Sequence, residues 1–384
     1  MAIEAISASR KTIMLTITET CNLDCVYCYE HNKKSREMSR ELILNIVENA
    51  LKESSTAMEI SFHGGEPFLK FDLMRETAEY FWKKYNPENK YVFFVTTNGT
   101  LLTDEIKKWL SEHKEHFWCG LSFDGTEDMQ NKNRSNSAKD VDLEFFAKTW
   151  PEQGVKMTVS DLTLSDLAAG TIFLHNKGFD VNNNLAYGID WNNNAIITVF
   201  SEQLEILMEF YLDNPDIKPS SILSMNIEWF IKDSSIKQER FCGAGKQMKC
   251  FDTNGKEYPC HFFMDMNFNK NIPKISNMEM LHSDDCLQDP FCKDCEIRLV
   301  CPTCYGYNYV TTGNPIKRDR NHCILAKIQA VACAIFALRR IKRYGKLTIK
   351  GEEIPIGNAL HGIDSVLNNE FFLNDERLRD FKLI

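Results

Sequence analysis

Three cysteines, Cys21, Cys25 and Cys28, stand within the run Glu19-Thr20-Cys21-Asn22-Leu23-Asp24-Cys25-Val26-Tyr27-Cys28. The spacing C-x3-C-x2-C gathers three soft thiolates in one short loop, a donor set suited to iron–sulfur chemistry. Three thiolates hold three irons of a [4Fe–4S] cube and leave the fourth open. Clusters that only pass electrons normally carry a cysteine on every iron, so an open iron implies a further ligand. The competing reading is a zinc site. Zinc prefers four tetrahedral ligands, and no His or Cys follows at a matching distance. His31 is the one nearby candidate, and a surface histidine after a loop is the commoner case.

Other segments add chemistry. His63-Gly64-Gly65-Glu66-Pro67 sets a carboxylate beside two glycines; the glycines let backbone approach a ligand, and the carboxylate can accept from an ammonium group. Alone, the segment reads as a strand-ending turn with a solvent-facing Glu. Thr96-Thr97-Asn98-Gly99-Thr100 also reads as a turn, Asn-Gly being a common turn pair. Ser122 lies in Gly120-Leu121-Ser122-Phe123-Asp124-Gly125, and Arg134 follows downstream. A guanidinium suits bidentate bonds to a carboxylate.

These segments need a scaffold. Strands are expected at Thr12–Thr18, Glu59–His63, Tyr91–Thr96, Phe117–Phe123 and Val155–Ser160. Between them lie amphipathic helices at Ser39–Leu51 with Ser39 as N-cap, at Phe71–Tyr85, and from Asp104 with Thr103 as N-cap. Ser165–Lys177 is a further helix, stopped by Gly178. Strand–helix alternation of this length argues for a parallel sheet with helical crossovers, whose ligands gather beyond the carboxyl ends of the strands. Each motif above follows a strand end. The Asn-rich stretch 182–194 reads as loop around a short strand at Leu185–Tyr187, then a helix at Ser201–Leu212. From about residue 240 the chain becomes cysteine- and loop-rich, and a helix from about Ile324 to Arg343 precedes a tail.

The chain has 384 residues, 43% apolar and 26% charged, which is ordinary globular composition and enough for two domains. A formal charge of −9 argues against nucleic acid as a partner. Met1-Ala2-Ile3-Glu4-Ala5-Ile6 has neither a basic nor an apolar signal region. The longest apolar stretch, Ala330–Leu338, is too short to span a bilayer, so no membrane is expected. Fourteen cysteines without an export signal favour metal ligation over disulfides. The expected compartment is the cytoplasm, reducing and anaerobic.

On these motifs the chain resembles the radical S-adenosylmethionine (SAM) enzymes. The resemblance implies that SAM chelates the open iron, that an electron cleaves its sulfonium, and that the resulting 5′-deoxyadenosyl radical takes a hydrogen from the substrate. It implies SAM contacts from Gly64, Gly65 and Glu66 at the methionine moiety and from Asn98 nearby. Ser122 and Arg134 match a Ser and an Arg of the sulfatase-maturating branch that contact the carboxylate and ribose region, and Tyr27 would sit near the adenine. The implied fold is α/β, a partial (β/α)6 TIM-like barrel.

The downstream cysteines resemble the SPASM domain, with Cys242, Cys250, then Cys260 in Gly255-Lys256-Glu257-Tyr258-Pro259-Cys260, then Cys292, Cys295, Cys301 and Cys304, and last Cys323. The resemblance implies two fully ligated auxiliary [4Fe–4S] clusters, three clusters in all. By analogy Cys242, Cys250, Cys260 and Cys304 hold one, and Cys292, Cys295, Cys301 and Cys323 the other. Cys119, Cys286 and Cys333 are then left over. Only two residues, Pro302 and Thr303, precede Cys304 where the usual pattern has three, which leaves Cys286 open as a substitute. A pair of zinc sites is the alternative, although the two C-x2-C pairs lie closer than zinc ribbons prefer. The expected domains are a radical SAM core at 1–235, a SPASM domain at 236–345 and a tail at 346–384.

The resemblance implies an oxidoreductase acting on a precursor peptide or protein, served by an electron donor such as flavodoxin or ferredoxin. The expected activity is a crosslink, thioether or carbon–carbon, in a ribosomally made peptide. The alternative is oxidation of a sulfatase Cys or Ser to formylglycine, and a non-enzymatic alternative is an iron–sulfur electron carrier. Sulfatase maturases place an Asp base directly after the Gly-x4-Cys cysteine, whereas this chain has His261. Histidine can serve as base or pack behind the cluster, and the change favours crosslinking. The basic run Arg339-Arg340-Ile341-Lys342-Arg343 could dock an acidic leader or be a solvated helix end.

Overall fold

The computed structural model describes residues 11–368 except 55, 87–90, 231–239, 268–271, 276–277, 284–286, 296 and 350–351. Residues 1–10 and 369–384, Cys286 and the expected boundary at 235/236 therefore lie outside the described residues.

The alternation forms as the periodicity dictates. β1 (Lys11–Thr18), β2 (Met58–Gly64), β3 (Tyr91–Thr97) and β4 (Phe117–Leu121) pair in parallel in the order β4-β3-β2-β1. β5 (Val155–Val159) pairs in parallel with β6 (Val181–Leu185). A parallel bridge between Ser122 and Lys156 joins β5 to the end of β4, where Phe123 N donates to Lys156 O at 3.0 Å. The six strands thus run around an open arc in sequence order, the expected partial barrel.

Alternate residues of the strands bury against the helices: Leu15, Ile17, Phe62, Phe93, Phe117 and Met157 are essentially solvent-free. Phe62 and Phe93 stack with ring centres 5.6 Å apart, and Phe93 and Phe117 follow at 6.2 Å. Fully burying such side chains is worth about 1.5–3 kcal/mol each. The intervening residues face the lumen.

The crossover helices start where their caps say. In α1 (Arg40–Glu53) the Ser39 hydroxyl accepts from Leu42 N at 3.3 Å, and Ile43 and Val47 are buried. α2 is Phe71–Lys84. In α3 (Asp104–His113) Thr103 caps Ile106 N at 3.3 Å. α4 (Glu127–Asn133) and α5 (Leu143–Thr149) follow β4, and α6 (Leu167–Asn176) follows β5. The chain turns after α6 at Gly178, whose φ of +91° is left-handed.

Two expectations differ from the structure. Asn182–Asn184 lie in β6, and Leu185 ends the strand rather than starting one. The buried Asn183 is tolerated because its amide donates to Thr171 Oγ1 at 3.0 Å. The helix expected from Ser201 begins at Asn194: α7 is Asn194–Asp213, capped by Asn193 Oδ1 accepting from Ala195 N at 2.8 Å.

The cysteine-rich part is tied to the barrel sheet. β7 (Met248–Phe251) pairs in parallel with the free edge of β1, Met14 opposite Cys250, and β8 (Glu257–Tyr258) turns back on it. α8 (Tyr305–Thr312) packs nearby, and α9 (Cys323–Tyr344) lies against α7. A small hairpin, β9 (Leu347–Ile349) with β10 (Glu352–Ile354), and α10 (Ile356–Leu367) end the described chain. The basic run at the end of α9 is neither free nor merely solvated. Arg339 bonds Glu205 at 2.6 Å and Glu209 at 2.8 Å, Arg343 bonds Asp213 at 2.9 Å, and Arg340 is buried. No helix among the described residues is long and apolar enough to cross a membrane.

Candidate functional site

Cys21, Cys25 and Cys28, all partly buried, occupy the loop leaving the carboxyl end of β1. The loop is pinned at several points. Cys28 N donates to Cys25 O at 3.0 Å, Val26 N to Asn133 O at 3.0 Å, and Asp24 N to Ser135 Oγ at 2.9 Å. Burial pushes the Cys25 thiol up to about 11, with Arg134 pulling the other way. Burial also raises the Cys21 thiol. Lys33 Nζ stands 3.4 Å from Cys28 Sγ. Cations beside thiols favour the thiolate that a metal needs.

The other strand ends close on this loop. Gly64 and Gly65 lie where β2 meets the loop, and a Cβ would stand 2.0 Å from Thr18 O at Gly64 and 2.4 Å from Thr20 O at Gly65. Only glycine fits there. Glu66 is buried, and its carboxylate accepts from Phe68 N at 3.0 Å, Thr97 Oγ1 at 2.7 Å and Asn98 N at 2.9 Å. It therefore straps β2 to β3, while its own burial raises its pKa. Asn98 Nδ2 donates to Asn22 Oδ1 at 2.9 Å, tying β3 to the cysteine loop.

After β4, Ser122 N donates to Thr97 O at 3.0 Å. Arg134 caps the end of α4, nearly buried, with Nε 3.0 Å from Asp124 Oδ2 and its guanidinium 5.4 Å from the Tyr27 ring centre. The Tyr27 hydroxyl donates to Asp124 as well. The solvent-free Asp124 also accepts from Thr158 N at 2.9 Å and Asn133 Nδ2 at 3.1 Å. Burial alone would lower the Arg134 pKa, but Asp124, Tyr27 and Cys25 outweigh it and raise it. Asp124 uses the Nε edge of Arg134, so the terminal nitrogens are not committed to it.

Seven of the eight later cysteines fall into two neighbourhoods, Cys242, Cys250, Cys260 and Cys304 in one and Cys292, Cys301 and Cys323 in the other. The Cys260 thiol lies within electrostatic reach of Cys304, Cys250 and Cys242, and its pKa is raised chiefly by burial. Cys250 and Cys260 sit in the smaller apolar cluster with Phe262, Tyr305 and Tyr307, and Cys304 packs against it. Cys242 is exposed. Gly306 makes room here, since a Cβ would stand 2.3 Å from Phe262 Cβ and 3.1 Å from Cys260 Sγ. In the second neighbourhood Cys323 feels both Cys301 and Cys292. Arg318 Nη1 and Nη2 each stand 3.3 Å from Cys301 Sγ. Cys295 N donates to Cys292 O at 3.1 Å, and the Cys295 side chain packs against the main core. Cys119 and Cys333 are buried away from both groups, on β4 and α9.

His261, next to Cys260, is half-buried in an aromatic nest, 4.7 Å from His63 and from Phe262 and 5.6 Å from Tyr29 between ring centres. Among the described residues its Nδ1 has no hydrogen-bond partner, and desolvation lowers its pKa.

Asp124, Lys33 and Arg318 were not singled out by the sequence. Asp124 stands in the motif that supplied Ser122, so its place after a strand end was the available signal. The partners of Lys33 and Arg318 become visible only in three dimensions. Soft thiols in one loop, with Lys33 and Arg134 beside them, suit an iron–sulfur cluster. The uncommitted edge of Arg134 suits a carboxylate of a bound ligand.

The family model of the radical SAM superfamily matches residues 15–142. The cysteine-type anaerobic sulfatase-maturating enzyme of Clostridium perfringens (strain 13 / Type A) is 36% identical over 136 residues, 33% of this chain and 35% of that protein. The chain spans 34–40% of the length of the first curated relatives it matches. The native anSMEcpe structure with bound AdoMet and Kp18Cys peptide superposes with a TM-score of 0.64 at 21% identity, covering 87% of this chain and 98% of that one. Streptococcus suis SuiB bound to precursor peptide SuiA superposes at 0.52 and 15% identity, covering 83% and 78%. The chain thus carries a radical SAM domain, set in the fold that these structures share.

Proposed function

We propose that this protein is a three-cluster radical SAM peptide maturase that closes a crosslink, thioether or carbon–carbon, in a ribosomally made precursor. When bound, the cluster and SAM supply one-electron cleavage of the sulfonium and a carbon radical able to take a substrate hydrogen. The protein's part is positioning. Cys21, Cys25 and Cys28 hold the first cluster. Gly64 and Gly65 keep the β2 end tight against it, and Glu66 and Asn98 lock the β3 end. Arg134, braced on Asp124, presents its terminal nitrogens to the SAM carboxylate, with Ser122 and Tyr27 alongside.

The observation that carries the reading is the shared sheet. β1 delivers the Cys21 loop, and its neighbour β7 carries Cys250. One ladder therefore supports both the loop we assign to the SAM cluster and a cysteine we assign to the first auxiliary cluster. The two later groups, Cys242, Cys250, Cys260 and Cys304, and Cys292, Cys295, Cys301 and Cys323, would hold the two auxiliary clusters, which when bound would supply an acceptor for the second electron. A flavodoxin- or ferredoxin-like donor supplies the first.

Formylglycine formation is the second reading, favoured by likeness to the Clostridium sulfatase-maturating enzyme. Anaerobic incubation with SAM and reductant separates them by mass. Loss of two hydrogens from the peptide encoded beside the gene supports crosslinking. Conversion of a sulfatase Cys to an aldehyde overturns it.

A further inference from the structure

Lys156 is the second residue of β5, between the fully buried Val155 and Met157. Strand alternation turns it to the opposite face, into the barrel lumen. Its Nζ is 3.4 Å from Thr96 Oγ1, a neutral hydroxyl near the end of β3. Among the described residues no carboxylate comes within ion-pair distance of it, and Glu59 acts on it only from farther away. The residue is exposed to solvent within the lumen, and the desolvation it does feel from the surrounding strands lowers its ammonium pKa. A cation facing the lumen without a carboxylate partner is open to an incoming anion, with which it would make a charge-assisted hydrogen bond.

The space beside it fits such an anion. A cavity of about 520 Å³ is lined by Lys156, Asn182, Asn184, Arg318 and one carboxylate, Asp319, and it is bordered by Cys301 and Cys304. Its other cation, Arg318, is held by Cys301. The two asparagines project from β6 on the same strand face and offer amide groups to a peptide backbone. Lys156 also acts electrostatically on Arg134 and on His261.

We propose that Lys156 binds a carboxylate of the substrate, so that the peptide entering the lumen carries an acidic side chain or a free C-terminus beside the residue to be modified. This rests on the peptide-maturase reading.

The test is calorimetric titration of the reconstituted holoenzyme with three peptides. They are acetyl-Gly-Ser-Gly-Asp-Gly-Ser-amide, its Asn twin as the amide, and the Asn twin as the free acid. One carboxylate peptide should bind about tenfold more tightly than the Asn amide, the scale of one close charge pair. Preference for the Asp amide assigns a side-chain carboxylate, and preference for the free acid assigns a C-terminus. Lys156→Gln should erase the preference and Lys156→Arg retain it, which separates charge from folding. Equal affinities, a preference surviving in Lys156→Gln, or no binding of any peptide overturns the proposal. SAM cleavage by the wild-type enzyme is measured separately, and its failure would instead overturn the radical SAM reading.

Discussion

Asp124 and Arg134 form a nearly solvent-free ion pair, Nε to Oδ2 3.0 Å, directly behind the cysteine loop. Asp124 also takes the Tyr27 hydroxyl and the Thr158 amide, so one carboxylate fixes the side chain within the loop, the guanidinium beside it and the carboxyl end of β5. Removing the charge leaves Arg134 enclosed without a counter-ion. Asp124→Asn should lower stability by about 3–5 kcal/mol, the usual cost of breaking a buried pair from one side. Urea unfolding measures it, and a loss under about 0.5 kcal/mol would show that Asp124 is not the brace.

Gly306 tests the first auxiliary group without touching a cysteine. An added methyl at 2.3 Å from Phe262 Cβ and 3.1 Å from Cys260 Sγ must displace one of them. Gly306→Ala should lose one cluster's worth of iron and sulfide while substrate-independent SAM cleavage persists. Full iron content in the variant would contradict that placement of Cys260.

His175 gives a pH signature remote from every cysteine. Its Nδ1 lies 3.0 Å from Phe179 O and its Nε2 2.8 Å from the Tyr211 hydroxyl, which itself accepts from Ser220 N at 3.0 Å. The coherent arrangement is a neutral ring donating from Nδ1 and accepting at Nε2. Burial lowers its pKa from the ordinary 6.5. A lowered folded-state pKa means that the unfolded chain binds the proton first. The contribution is therefore whole above pH 6.5 and falls as pH drops below it. Comparing denaturation at about pH 7.5 and 5.5 around that value, His175→Gln should lose less stability on acidification than the wild type. An unchanged slope would remove His175 as a source.

Much of this was legible in the chain because the signals were local. Ser39 and Thr103 capped the helices they precede, and each motif followed the strand end that places it. The three-thiol loop was read from its spacing together with the motifs around it. What stayed hidden depends on distant pairing. Arg339 and Arg343 look like a docking patch until α7 supplies Glu205, Glu209 and Asp213 more than a hundred residues away. Asn182–Asn184 read as loop because β-propensity disfavours asparagine, yet Thr171 accepts from the amide of the one that faces inward. The pairing of β7 with β1 joins residues more than two hundred apart, and no periodicity announces it.

The central claim is that the loop of Cys21, Cys25 and Cys28 carries the cluster that cleaves SAM. The direct measurement is 5′-deoxyadenosine formed from SAM under reducing, anaerobic conditions, by the wild type and by Cys28→Ala. The account predicts product from the wild type and none above background from the variant, which should still bind the iron of the two auxiliary clusters. Undiminished deoxyadenosine in Cys28→Ala, or none from the fully reconstituted wild type, would contradict it.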